Sequence, residues 1–208
     1  MLTPEEKHEL LKIARAAIET GIHNQPGIRF PGRSDQQASP RLSNPTMEYE
    51  VGGAPREPLL RHQGAFVTIR IRGQLRGCIG YIESPMPLMA VVAEAAAKAA
   101  FEDPRFPPLS SAEYPNSTIE ISVLSELSPL GSPEEIEVGV HGLLVESGEH
   151  RGLLLPQVAL EQGWDRTAFL SALARKAGLP AVTWDDGCTK VFSFRAEIVQ
   201  EEGAATHA

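Results

Sequence analysis

The chain has 208 residues, 42% of them hydrophobic, and a formal net charge of −8, which is enough apolar material for one substantial core or two small ones. An acidic balance of this size argues against a general nucleic-acid binder, whose usual footprint is a basic domain. The two cysteines, Cys78 and Cys188, stand outside any C-x-x-C spacing, and the six histidines show no ligand spacing, so neither a disulfide framework nor a metal site is expected. 

Thr3-Pro4-Glu5-Glu6 reads as N-cap, N1 proline and capping-box glutamate, with no signal-peptide pattern. Leu10, Leu11, Ala14, Ala17 and Ile18 then recur at helical spacing until Gly21, predicting a helix over 4–20 inside an N-terminal segment 1–21. From 22 to 62 the periodicity gives way to prolines and glycines, the mark of a long loop that is either an insertion or a flap over a site. Residues 22–82 also hold eight arginines against four acids, a basic strip suited to an anionic small molecule or an acidic partner surface. The stretch 63–200 forms the core of what reads as a single domain, 1–208. No run of 18 apolar residues occurs, so no membrane association and a cytoplasmic, reducing location are expected.

Phe66 to Arg72 alternates as a strand, and Leu75, Gly77, Ile79 and Tyr81 form the apolar set of a second. A three-residue loop sets Thr68 opposite Cys78 and gathers Cys78 with Thr68, Arg70 and Arg76 on a polar face. A two-residue turn at Gly73-Gln74 sets Cys78 opposite Ile69 instead. Face matching favours the first register, or a bulge with the same result. Ser84-Pro85 starts an alanine-rich helix that ends at Asp103-Pro104, and its N-terminal dipole is expected near the thiol.

Further strands are predicted around Ile119–Val123, Ile136–Val138, Leu143–Val145 and Gly152–Leu155, and a last long one over Val191–Gln200. Asp165 caps a helix that Gly178 closes. Paired strands between unevenly spaced helices indicate an α+β fold on a mainly antiparallel sheet.

The densest chemistry lies in Leu75-Arg76-Gly77-Cys78-Ile79-Gly80. Gly77 and Gly80 are expected to leave the backbone around Cys78 uncovered, and Arg76 to favour its thiolate, the reactive form. The alternative is a small cysteine packed into a strand. His141, at a turn, is either a plain turn residue or a base for Cys78. Asp103 and Arg105 form either a structural clamp or a site where Arg105 grips an anion bidentately. Gln157 either caps a short helix or orients a ligand.

Taken together, LRGCIG (75–80), FEDPRF (101–106), Ile121-Ser122-Val123-Leu124, His141-Gly142-Leu143, LLPQV (154–158) and Arg175-Lys176-Ala177-Gly178-Leu179 resemble the AMMECR domain family over roughly residues 60–200. The resemblance implies an α+β fold, an antiparallel sheet flanked by helices with a smaller second lobe. Prokaryotic members are associated with a Memo-like protein and a radical S-adenosylmethionine protein, the AmmeMemoRadiSam system, so it also implies those partners. It assigns no reaction and no cofactor. The 22–62 loop is longer than usual in the family, and Ala174 stands where many members carry cysteine, so a second thiol is not supplied there. Three functions follow: a cysteine-centred enzyme or carrier using Cys78, Arg76 and His141; a non-catalytic module that binds a protein or small anion; and, more weakly, a nucleic-acid-linked regulator.

Overall fold

A computed structural model describes residues 1–24, 57–184 and 187–201, so most of the predicted loop 22–62 lies outside the described residues. The fold is α+β, with four α-helices and two four-stranded antiparallel sheets among the described residues. Among the described residues the chain divides into two compact units, one built from Met1–Ile121 and residues 199–201, the other from Ser122–Ile198. No helix of the described residues is long and apolar enough to cross a membrane.

In the first unit, helix α1 spans Pro4–Asn24. Its start is the predicted capping box: Thr3 Oγ1 accepts from the Glu6 N–H at 3.3 Å, and the Thr3 N–H donates to Glu6 Oε2 at 2.8 Å. Gly21 does not stop the helix as expected. A β-carbon there would lie 2.1 Å from the ring of Phe101, so this glycine admits a neighbouring aromatic instead. Phe101 is the last residue of α2, Leu88–Phe101. This helix begins four residues later than Ser84, because Met86 precedes Pro87 and is held out of the α region, while Ser84 Oγ accepts from the Met86 N–H in the turn before it. Eight of its residues are buried, five of them alanines, which lets the helix lie close to the sheet.

Strands β1 (Ala65–Ile71) and β2 (Gln74–Tyr81) form the hairpin, and the sheet order is β2-β1-β3-β8, with β3 at Ser117–Leu124 and β8 at Ala196–Gln200. The connection is the two residues Arg72 (φ 52) and Gly73 (φ 77), both left-handed as a type I′ turn requires, and neither the three-residue loop of the favoured register nor the Gly73-Gln74 turn of its alternative. Ile71 pairs with Gln74 and Arg70 with Leu75, but Ile69 pairs with Gly77. Arg76 is therefore the extra residue of a β-bulge, and the bulge restores Thr68 opposite Cys78, the predicted outcome.

In the second unit the order is β4-β7-β5-β6, from Ser128–Leu130, Thr189–Phe194, Gly142–Ser147 and His150–Leu154. Helices α3 (Pro156–Glu161) and α4 (Arg166–Ala177) belong to this unit, and Phe169, Leu173 and Ala177 of α4 enter a core with Leu143, Val145 and Val191. The predicted caps hold: Asp165 accepts from the Ala168 N–H, and Gly178 is left-handed at φ 73. Two expectations fail. Ile136–Val138 is no strand, because a capping box joining Ser132 and Glu135 winds a short 3-10 turn before it, and a backbone turn from Glu137 to His141 follows. Val191–Gln200 is not one strand but two, β7 and β8, parted at Arg195, whose N–H and carbonyl are taken by Ser125. The two halves belong to different sheets.

Candidate functional site

Cys78 lies on β2, the edge strand of its sheet, and is half-buried. Its N–H donates to Asp103 Oδ2 at 2.9 Å, and its carbonyl accepts from Arg105 Nη2 at 3.2 Å. Both groups thus point away from β1, which makes Thr68 and Cys78 a non-hydrogen-bonded pair, the kind whose side chains stand closest. The Thr68 hydroxyl accordingly reaches Cys78 Sγ at 3.3 Å. Thr68 itself is buried.

Asp103 is nearly sealed from water, its side chain 2% exposed, and it accepts four hydrogen bonds: from the N–H groups of Cys78 and Arg105 and from Arg105 Nε and Nη2. The Arg105 guanidinium holds this carboxyl well below the usual carboxylate range. A carboxylate so engaged is an anchor and not a proton acceptor. Arg105 is 53% exposed, and its charge is stabilised chiefly by Asp103 and in smaller part by coupling to Cys78. The Asp103-Pro104-Arg105 corner is thus the structural clamp of the two readings, and it also sets a half-exposed cation beside the thiol.

Gly77 and Gly80 do not uncover the cysteine. A β-carbon on Gly77 would stand 2.0 Å from the carbonyl oxygen of Ala99, and one on Gly80 would strike the Phe66 ring and the Ala65 carbonyl at 2.4 Å. One glycine lets α2 touch the strand and the other lets an aromatic ring lie across it. The Ala99 contact also reverses the dipole expectation: the C-terminal end of α2, not its N-terminus, abuts the strand at Gly77.

Arg76 is likewise not the cation paired with the thiol. The bulge sends its side chain to Glu113, with Nε on Oε1 at 3.0 Å and Nη2 on Oε2 at 3.2 Å, and Nη2 also donates to the Pro108 carbonyl. That bidentate pair, with two bonds from Ser110, holds Glu113 down at about 2. Phe106 lies within cation–π range of both guanidinium groups, 5.8 Å from Arg76 and 5.5 Å from Arg105. Arg70 sits at the hairpin tip, its Nη1 3.5 Å from the Gly73 carbonyl.

Ser110, Glu113 and Phe106 were not among the predicted site residues, although Ser110-x-x-Glu113 is a capping-box spacing readable from the chain. Beside Arg76 opens a cavity of about 510 Å³ lined by the hairpin tip and by Ala112, Glu113 and Asn116.

His141 and Gln157 belong to the second unit. His141 Nδ1 accepts from the Glu137 N–H at 3.2 Å, closing the turn that precedes β5. Gln157 stands in the first turn of α3, and its Nε2 donates to the buried Ser122 hydroxyl at 2.9 Å. The structure thus brings together Thr68, Cys78, Asp103 and Arg105, and, through the bulge, Arg76 with Glu113. Among the described residues no three His, Cys, Asp or Glu side chains gather as a metal site.

The chain has relatives. A protein of Methanothermobacter thermautotrophicus is 40% identical over 208 residues, covering 97% of each chain, and one of Thermococcus gammatolerans is 46% identical over 203 residues, covering 93% of this chain and 89% of that one. The crystal structure of an uncharacterised protein from Pyrococcus horikoshii superposes with a TM-score of 0.77 at 36% identity, across 97% of this chain and 94% of that chain. The model of the AMMECR1 family matches residues 11–199, a span that contains the bulged hairpin, the Asp103–Arg105 clamp and the whole of Ser122–Ile198 in the second unit. On the strength of that match, the chain is a member of the AMMECR1 family.

Proposed function

We propose that Cys78 is the reactive centre of a cysteine-dependent enzyme or group carrier. The observation that carries the reading is the fixed geometry of one half-buried thiol: a hydroxyl donor 3.3 Å from Sγ, and a half-exposed guanidinium anchored on the same residue's carbonyl. A hydroxyl donor and a nearby cation both favour a thiolate over a thiol. In group acceptance the Sγ–C bond forms as the bond from that carbon to its leaving group breaks, and the thiol proton goes to solvent or to the leaving group. Arg105, not Arg76, is the residue placed to steady negative charge on the incoming molecule, and an anionic substrate fits it best. The family resemblance supports action beside a Memo-like protein and a radical S-adenosylmethionine protein, which co-purification from the native cell tests directly.

The experiment is the pH dependence of Cys78 alkylation in the folded Cys188→Ser protein, followed by intact mass. Rapid labelling with a midpoint below the ordinary cysteine value of about 8.5, moved to higher pH by Arg105→Ala, supports the reading. No labelling short of unfolding overturns it. The second reading is a non-catalytic binding module, favoured by the structural use of Arg76 and Asp103 on the β2 edge. In that case Cys78→Ser keeps partner binding and Arg76→Ala abolishes it.

A further inference from the structure

The hairpin tip carries a feature that the Cys78 chemistry does not use. The cavity of about 510 Å³ is lined by Ile71, Arg72, Gln74, Leu75 and Arg76 on one side and by Ala112, Glu113 and Asn116 on the other, a volume within the range of small-molecule sites. Its polar groups fall into two sets. Arg76 and Glu113 neutralise each other, but Nη1 of Arg76, a residue only 9% exposed, is buried with no hydrogen-bond partner among the described residues.

Arg72, Gln74 and Asn116 form the second set. Among the described residues their side chains have no hydrogen-bond or ion-pair partner, so one uncompensated positive charge and two amides face the same space as Leu75, which is 38% exposed. Arg72 also holds a left-handed backbone, φ 52, as the only non-glycine residue with positive φ among the described residues. Asparagine is the favoured residue in that place of a type I′ turn, so arginine is carried there against local preference, as happens where a side chain is wanted for contact.

We infer that this cavity binds a small organic monoanion, a carboxylate on an apolar body. Arg72 holds the carboxylate, Gln74 and Asn116 supply neutral hydrogen bonds, and Ile71, Leu75 and Ala112 cover the apolar part. The inference is independent of the Cys78 reading, since Cys78 does not line the cavity.

The test uses the full chain and 4-(trifluoromethyl)benzoate as probe, with ¹⁹F NMR for affinity and ¹H–¹⁵N spectra for place. Shifts confined to residues 71–76 and 112–116 are expected, together with at least tenfold weaker binding in Arg72→Asn, a change the turn accepts. Ala112→Trp should occlude the cavity with similar loss, while Cys78→Ser should leave the affinity as it is. Absence of binding at about 5 mM probe, equal binding of the neutral 4-(trifluoromethyl)benzamide, unchanged affinity in Arg72→Asn, or loss in Cys78→Ser would each overturn the assignment.

Discussion

Replacing Asp103 by asparagine keeps the shape of the side chain and removes its charge, so it isolates what the carboxylate does for the β2 edge. Asp103 accepts four hydrogen bonds through two oxygens. Asparagine has one acceptor oxygen and turns an NH₂ group toward two of those donors. At least two bonds are lost, the pair with Arg105 among them. Bonds to a charged group contribute about 1.5–3 kcal/mol each, and breaking a buried pair costs about 3–5 kcal/mol. Arg105 is half exposed and can rehydrate, so the lower part applies, about 2–4 kcal/mol.

The pH dependence has a definite sign. Because the folded-state carboxyl titrates below its unfolded value of about 3.9, its contribution is complete above that value and is lost as pH falls through the folded-state value. Urea denaturation of both proteins at pH 7 and at steps down to pH 3 should show the gap between them narrowing below about pH 4. A gap under about 1 kcal/mol at pH 7, or one of constant size from pH 7 to 3, refutes the clamp as described.

Gly77→Ala must part β2 from the Ala99 carbonyl by more than an ångström, and thermal or urea unfolding should show a loss of about 2–3 kcal/mol or more, as overpacking gives. Arg15 donates to both carboxylate oxygens of Glu201 and to Ser117 Oγ and O, so Arg15→Ala should cost about 2–3 kcal/mol in the same assay by leaving Glu201 and Ser117 without these donors. Arg72→Asn should raise stability by about 0.5 kcal/mol, measured as a higher urea midpoint at unchanged slope, because it puts the preferred residue into the type I′ turn.

Local chemistry was the legible part. The Thr3 capping box, the Asp165 cap, the Gly178 stop and the pairing of Thr68 with Cys78 all follow from neighbours a few residues apart, and each is present. What escaped was set by groups far along the chain. Gly21 looks like a helix stop until Phe101 is seen packed against it, 80 residues on, and Gly77 looks like an opening until Ala99 fills it. The site changed for the same reason. Arg76 stands two residues from Cys78 in sequence, but a one-residue bulge hands it to Glu113, while Arg105, 27 residues away, takes the place beside the thiol. The break at Arg195 depends on Ser125, whose pairing no pattern within Val191–Gln200 announces.

The Asp103–Arg105 clamp has a consequence for how other chains meet this one. An exposed edge strand is a template on which a foreign strand can extend the sheet, with aggregation as the common result. At Cys78 both outward backbone groups are already occupied by a charged pair, and Pro104, Pro107 and Pro108 in the adjoining segment cannot donate to a new ladder. A newcomer would have to displace a carboxylate held by four donors before pairing with the strand at Cys78. The clamp therefore polices the centre of the edge, and any protein that recognises the LRGCIG segment at Cys78 must do so through side chains and shape, because the backbone at that residue is closed to sheet extension.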